Sequence, residues 1–96
     1  MYMVFTKFDN STNWVEGVLD NYRFEAKLYD DGSIFGIDDG RVSKLSICGE
    51  DIIVHYDRGW DIEPKTDKDR EIFELVLEFL ESSPRRFDNE CYNRND

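Results

Sequence analysis

The sequence predicts an α+β domain in which an antiparallel meander of about five short strands packs against one C-terminal helix. Three observations lead there. Tight-turn signals recur between short runs of alternating apolar and polar residues as far as Tyr56. The hydrophobic period then changes from two to that of a helix over residues 65–83. The chain has 96 residues, room for one domain, and its seven Phe, five Tyr and two Trp supply the large side chains that a thin core needs.

The elements follow in order. The segment NWVEGVL (13–19) fits a first strand, and YRFEAKLY (22–29) a second. In the second, Tyr22, Phe24, Ala26 and Leu28 share one face while Arg23, Glu25 and Lys27 share the other. Asp20-Asn21 between them suits a two-residue hairpin, because both residue types tolerate positive φ. Two Asp-Asp-Gly turns, at 30–32 and 38–40, bracket SIFGI (33–37), expected to be a third strand. VSKLSIC (42–48) and IIVHY (52–56) complete the meander, joined by a turn at GED (49–51). Glycine is the expected source of backbone freedom in these turns. The N-terminal YMVFTKF (2–8) fits an edge strand or a short helix equally well.

KTDKDREIFELVLEFLESS (65–83) is the helix. Thr66 fits the N-cap, with Asp69 at the position where an acidic residue returns the bond, and Asp67 and Asp69 complement the positive end of the helix dipole. Ile72, Phe73, Leu75, Val76, Leu77, Phe79 and Leu80 cover more than half its circumference, so it must lie on the sheet. On that basis Phe79→Ala is expected to cost about 3–5 kcal/mol. Pro84 ends the helix. Residues 1–84 therefore read as the domain and 85–96 as a flexible polar tail.

Charge narrows the partners. Twenty-two Asp and Glu oppose 12 Lys and Arg, a net charge of −10. That balance disfavours extended contact with a phosphate backbone and leaves a basic protein surface, or a small ligand held in a local basic pocket. Cys48 and Cys91 form neither a disulfide framework nor a metal pair, which fits a reducing, cytoplasmic setting with no cofactor. The N-terminus lacks the pattern of a signal peptide, and no stretch has the length of a membrane span.

HYDRGWD (55–61) concentrates reactive and aromatic side chains. His55 and Asp57 would share a strand face as a base and its orienting carboxylate, yet no nucleophile accompanies them, so catalysis is not expected. Single His and scattered Asp do not make a zinc or calcium site. Tyr56, Asp57, Arg58 and Trp60 better suit recognition, either of a protein or of a nucleotide whose base stacks on Trp60 or Tyr56 and whose phosphate meets Arg58. Lys44 and Arg41 are further cations on the neighbouring strand. Along the helix, Glu71, Glu74, Glu78 and Glu81 fall at spacings of three, four and three. They form a ridge about 15 Å long whose carboxylates are spaced like phosphates. Such a ridge can imitate a nucleic acid toward a basic groove. Both features also have an ordinary structural account: a turn capping the core, and the wet face of an amphipathic helix.

The string W-V-x-G … F-x-A-K-L … F-G-I-x-x-G-R-V-S-K-L-S-I … Y-D-R-G-W resembles a family of small uncharacterised proteins from phages and Firmicutes-type bacteria. Here it comprises Trp14, Val15, Gly17, Phe24, Ala26, Lys27, Leu28, Phe35 to Ile37, Gly40 to Ile47, and Tyr56 to Trp60, within roughly residues 14 to 80. The resemblance implies no activity. It implies a context in which small acidic proteins inhibit host machinery, anti-defence and anti-CRISPR factors among them. The leading expectation is therefore a non-catalytic acidic binding protein, a phage-encoded inhibitor of a host protein with a basic surface, acting by protein–protein contact or nucleic-acid mimicry. The alternative is a nucleotide-binding or nucleotide-sequestering domain, oligomeric in some forms.

Overall fold

The structure, a computed structural model, describes residues 2–9 and 11–84; the expected tail, 85–96, lies outside the described residues. Six strands form one antiparallel sheet in the order of the chain: β1 (Met3–Phe8), β2 (Trp14–Leu19), β3 (Tyr22–Leu28), β4 (Val42–Cys48), β5 (Ile52–Asp57) and β6 (Trp60–Ile62). The helix α1 (Asp67–Glu81) follows. The α+β meander with one C-terminal helix is thus present, with six strands rather than five.

The alternation read from the sequence sets which side of each strand is dry. Val15 and Leu19 of β2, Phe24, Ala26 and Leu28 of β3, Leu45 and Ile47 of β4, and Val54 and Tyr56 of β5 all point into the core. Ile72, Val76 and Leu80 of α1 close that core from above. These three recur every four residues, so they lie on one line of the helix surface, which sits mainly over β4 and β5. Phe73, Leu75, Leu77 and Phe79 flank the line and are half-buried. The opposite face of the sheet carries Trp14, Glu16, Glu25, Lys44, Ser46 and His55, and no described helix covers it.

Two local devices hold this arrangement. Thr66 Oγ1 accepts from Asp69 N at 3.0 Å, the cap that the sequence predicted. Gly17 stands opposite Phe24, and a Cβ there would lie 2.3 Å from the Phe24 ring, so the glycine gives the ring its space. Phe24 in turn meets Phe79 (6.2 Å between centroids) and Phe5 (6.4 Å), while Phe5 and Phe79 approach to 4.7 Å. The cluster ties the first edge of the sheet to the end of the helix.

Three expectations change. SIFGI is not a strand. Lys27 pairs with Lys44 and Leu28 with Val42, so β3 runs straight into β4 and leaves that segment no ladder to join; it forms a loop with one short 3-10 turn, Ile37–Asp39. The N-terminal segment resolves as the edge strand β1, and β6 adds a short strand beyond the expected meander. Glycine is not the source of positive φ in the turns: Asn13, Asp20, Asp38, Asp39 and Arg58 adopt it, and no described glycine does. Asp and Asn reach the left-handed region readily; Arg58 does so at a cost. Both sheet edges are blunted, β1 by a bulge at Thr6 and β6 by its length of three residues.

Leu80 is fully buried whereas Phe79 is half-buried. Leu80→Ala is expected to lower stability by about 2–5 kcal/mol, with Phe79→Ala toward the low end of the range for an aromatic. Urea melts of the two variants check this; a loss below about 1 kcal/mol for Leu80→Ala would mean that α1 does not seal the sheet.

Candidate functional site

The loop between β3 and β4 is the most distinctive surface. Its neck closes where Tyr29 N donates to Arg41 O at 3.0 Å. Within it, Ser33 N donates to Gly40 O (3.2 Å), Gly36 N to Ser33 O (3.0 Å) and Asp39 N to Gly36 O (3.1 Å). The two arms approach so closely that a Cβ on Gly36 would stand 1.9 Å from Gly40 O. Asp38 and Asp39 turn the chain back with φ of 53° and 60°, two consecutive left-handed residues.

Arg41 anchors this loop to the helix. Its Nε donates to Tyr29 O at 2.8 Å, and its Nη1 donates to Glu81 O at 2.9 Å and Ser83 O at 2.6 Å. Its backbone N–H donates to the Glu81 carboxylate, at 2.8 Å to Oε2. The last turn of α1 contains no basic residue. A helix C-terminus presents unsatisfied carbonyls and partial negative charge, so the guanidinium supplies from the sheet what the helix lacks. Arg41 Nη2 is buried without a hydrogen-bond partner among the described residues.

Tyr56 makes the second anchor. Its hydroxyl donates to Phe35 O at 3.0 Å from beneath the loop. Burial holds this phenol above its ordinary value, and the carboxylates of Asp38 and Asp39 push it further the same way. The outcome is a divided loop. Ile37 enters the core at 4% exposure, while Ile34 at 81% and Phe35 at 51% face solvent, with Tyr29 beside them at 38%. Asp31, Asp38 and Asp39 are exposed around this apolar tip. Next to it opens a cleft of about 570 Å³ lined by Tyr29, Asp30, Asp31, Ser33, Phe35, Ser43 and Arg58.

The residues of HYDRGWD do not converge on one site. Tyr56 lies in the core. Trp60 stands edge-on to it (5.2 Å between centroids) and to Phe73 of the helix (5.3 Å), so its ring caps the end of the core while remaining 41% exposed. Asp57 is on the open sheet face, where its Oδ1 lies 3.6 Å from Lys44 Nζ and 3.6 Å from Arg58 Nε. Arg58 occupies the turn, with φ of 58° and its backbone N donating to Ser43 O, and its side chain borders the cleft. The open-face hollow that Tyr56 lines and the cleft that Arg58 borders are separate.

The expected pairing of His55 with Asp57 is replaced by another. His55 Nδ1 lies 3.0 Å from Asp61 Oδ2, a contact without hydrogen-bond direction. Ser46 is its cross-strand neighbour. On the same face, Glu16 stands opposite Glu25 and Lys27 opposite Lys44, like charges at positions where opposite ones are favoured.

On the helix, Glu71, Glu74 and Glu78 are exposed, whereas Glu81 is half-buried and bonded to Arg41. The ridge thus keeps three outward carboxylates. Among the described residues no group of three or more His, Cys, Asp or Glu side chains could hold a metal ion. No described helix is long and apolar enough to cross a membrane. Sequence reasoning missed the apolar tip and the anchor at Arg41. Its only trace was the adjacent pair Ile34-Phe35, which breaks a period-two pattern between two Asp-Asp-Gly turns.

One family model, a domain of unknown function designated DUF7678, matches residues 13–81. The chain belongs to that family. Its span runs from the start of β2 to Glu81, so it includes the loop and both ends of the Arg41–Glu81 contact and leaves β1 outside. No curated protein and no solved structure matches the chain.

Arg41→Lys should lower stability by about 2–3 kcal/mol in urea melts, because one ammonium cannot reach Tyr29 O and the helix carbonyls together; a change below about 0.5 kcal/mol would remove the anchor from this account. The Tyr56 phenol has a raised folded-state pKa, so the stability it contributes is fully present below the unfolded value near 10 and is lost as pH rises through the folded one. Tyr56→Phe should cost about 1 kcal/mol at neutral pH for the lost hydrogen bond. Its melting temperature should fall less steeply than that of the unaltered chain above pH 10; parallel alkaline slopes would contradict the buried phenol.

Proposed function

We propose that this chain is a non-catalytic acidic binding protein that acts by direct contact with another protein. The single observation behind this is the tip of the β3–β4 loop, where Ile34 and Phe35 are held out in solvent by a loop that is itself fixed from below. Exposing a large aliphatic side chain forgoes roughly 1.5–3 kcal/mol of burial. A folded chain that spends that much on a rigid protrusion gains it back when a partner covers the protrusion, and the ordering cost of the loop has already been met. The net charge of −10 selects partners with basic surfaces and steers them in.

In this proposal the partner is a host protein with a basic surface, and the setting is a phage-encoded inhibitor of host defence acting in the host cytoplasm. The three outward carboxylates Glu71, Glu74 and Glu78 add long-range attraction for the same kind of surface, as a short imitation of a phosphate row.

The double variant Ile34→Ser, Phe35→Ser tests the proposal. Both side chains are exposed, so its thermal melt should match that of the unaltered chain. Affinity capture from host lysate, read by mass spectrometry, should lose the specific partners of the unaltered chain. Capture of the same set by both chains would reject the tip as the contact.

A further inference from the structure

We infer that two copies of this chain pair through the open face of the sheet, each laying its acidic row over the basic row of the other. The contact uses a different surface from the loop tip and goes beyond the function proposed above. Strand register arranges the open face into cross-strand rows. One row runs Trp14, Lys27, Lys44, Asp57 from β2 to β5. The next runs Lys7, Glu16, Glu25, Ser46, His55 from β1 to β5. The middle of the first row is therefore basic and the middle of the second acidic. Within each row like charges stand directly opposite each other across a strand pair, which is unfavourable. Of these four, Lys44 has an ion pair among the described residues, with Asp57 at 3.6 Å; Glu16, Glu25 and Lys27 have none.

A two-fold axis that crosses the strands between the two rows brings each row over the other. With the sheets about 10 Å apart, each side chain then faces, in the second copy, the residue two positions along its own strand. Glu25 of each copy meets Lys27 of the other, His55 meets Asp57, Lys44 meets the Ser46 hydroxyl, and Glu16 meets the Trp14 indole. No facing pair carries like charges. An axis along the strands instead lays each row on itself, glutamate against glutamate. The net charge of −10 opposes self-association in general, so a contact between copies needs a face that this charge avoids. With Arg23 and Asp61 included, the six strands hold four cations and four carboxylates, a balance of zero, and the excess acid lies outside them. A nucleic acid or a basic peptide would lose at one row what it gains at the other, whereas a second copy matches both. The face measures roughly 24 Å across the strands and roughly 20 Å along them. That is at the low end for specific association, so the dimer should exchange with monomer at micromolar concentrations. The loop is bonded on the core side of the sheet, through Tyr56 and the end of α1, so both tips stay uncovered in the dimer.

The test is sedimentation velocity of the full chain at physiological salt, from micromolar to near-millimolar concentration. The weight-average mass should rise with concentration from 11.4 kDa toward twice that value. Glu25→Lys and Lys27→Glu each set like charges across the contact. Each alone should weaken self-association at least ten-fold, with the circular dichroism of the unaltered chain. An equimolar mixture of the two single variants should regain the dimer, because the change of sign in one copy complements the change in the other; a loss caused by misfolding does not recover in this way. The variant Ile34→Ser, Phe35→Ser should associate like the unaltered chain. Lys27 and Lys44 should react less with acetic anhydride as concentration rises. A mass fixed at 11.4 kDa throughout, full association of both single variants, no recovery in the mixture, or loss of association in the tip variant would each overturn the inference. So would protection of the two lysines that is equal at every concentration, since the chain would then be covering the face itself.

Discussion

One guanidinium ties the loop, the sheet and the end of the helix together. Arg41 sits where three things meet: the neck of a loop, the start of a strand, and the last turn of α1. Its side chain bonds Tyr29 O across the neck and two carbonyls at the end of α1, while its backbone N–H bonds the Glu81 carboxylate. The Ser82 and Ser83 hydroxyls donate to Phe79 O, and the guanidinium adds the positive charge that a last turn with two glutamates and no basic residue lacks. The apolar line Ile72, Val76, Leu80 holds the middle of the helix down by non-directional burial. The arginine fixes where the helix ends relative to the sheet, which burial alone does not specify.

That fixed end shapes the loop. Arg41 is bonded on both sides of the neck and Tyr56 holds Phe35 O, and two consecutive aspartates adopt left-handed backbone to close the chain between them. Strain of this kind persists only where the surroundings over-determine it, and it concentrates at sites that do something. The same loop carries the most exposed large apolar side chain among the described residues, Ile34 at 81%. The in-register pairs Glu16–Glu25 and Lys27–Lys44 on the open sheet face are a second departure from local preference, softened for Lys44 by Asp57 at 3.6 Å. Elsewhere the chain follows its local rules, in its cap, its alternation and its blunted edges.

How much of this could be read in advance depended on whether the signal was local. Alternation in YRFEAKLY, the Asp20-Asn21 turn and the Thr66 cap depend on neighbours within a few positions, and each appears where the sequence placed it. SIFGI misled because a short apolar run bounded by turns looks the same whether or not a ladder is free to receive it. Only the register of Lys27 with Lys44 and Leu28 with Val42 shows that none is. HYDRGWD is a different case. Its residues are adjacent in sequence, but strand alternation and the positive φ of Arg58 send Tyr56 into the core, Asp57 to the open face and Arg58 toward the cleft. The contact between Arg41 and Glu81 spans 40 positions, and no pattern within either segment announces it.

In the proposed function, charge and apolar surface divide the work of recognition. Attraction from a net charge of −10 is long-ranged, weakened by salt and indifferent to detail, so it brings basic surfaces near without choosing among them. Ile34 and Phe35 act only at contact and only on a surface shaped to cover them, so they choose. Under that proposal the same charge opposes contact between two copies of the chain and contact with phosphate backbones. A flexible tip would have to be ordered at each encounter, at roughly 0.5–1.5 kcal/mol per immobilised side chain in addition to its backbone. Anchoring the loop through Arg41 and Tyr56 meets that cost during folding, so the stability of the helix end and the readiness of the binding surface rest on the same few hydrogen bonds.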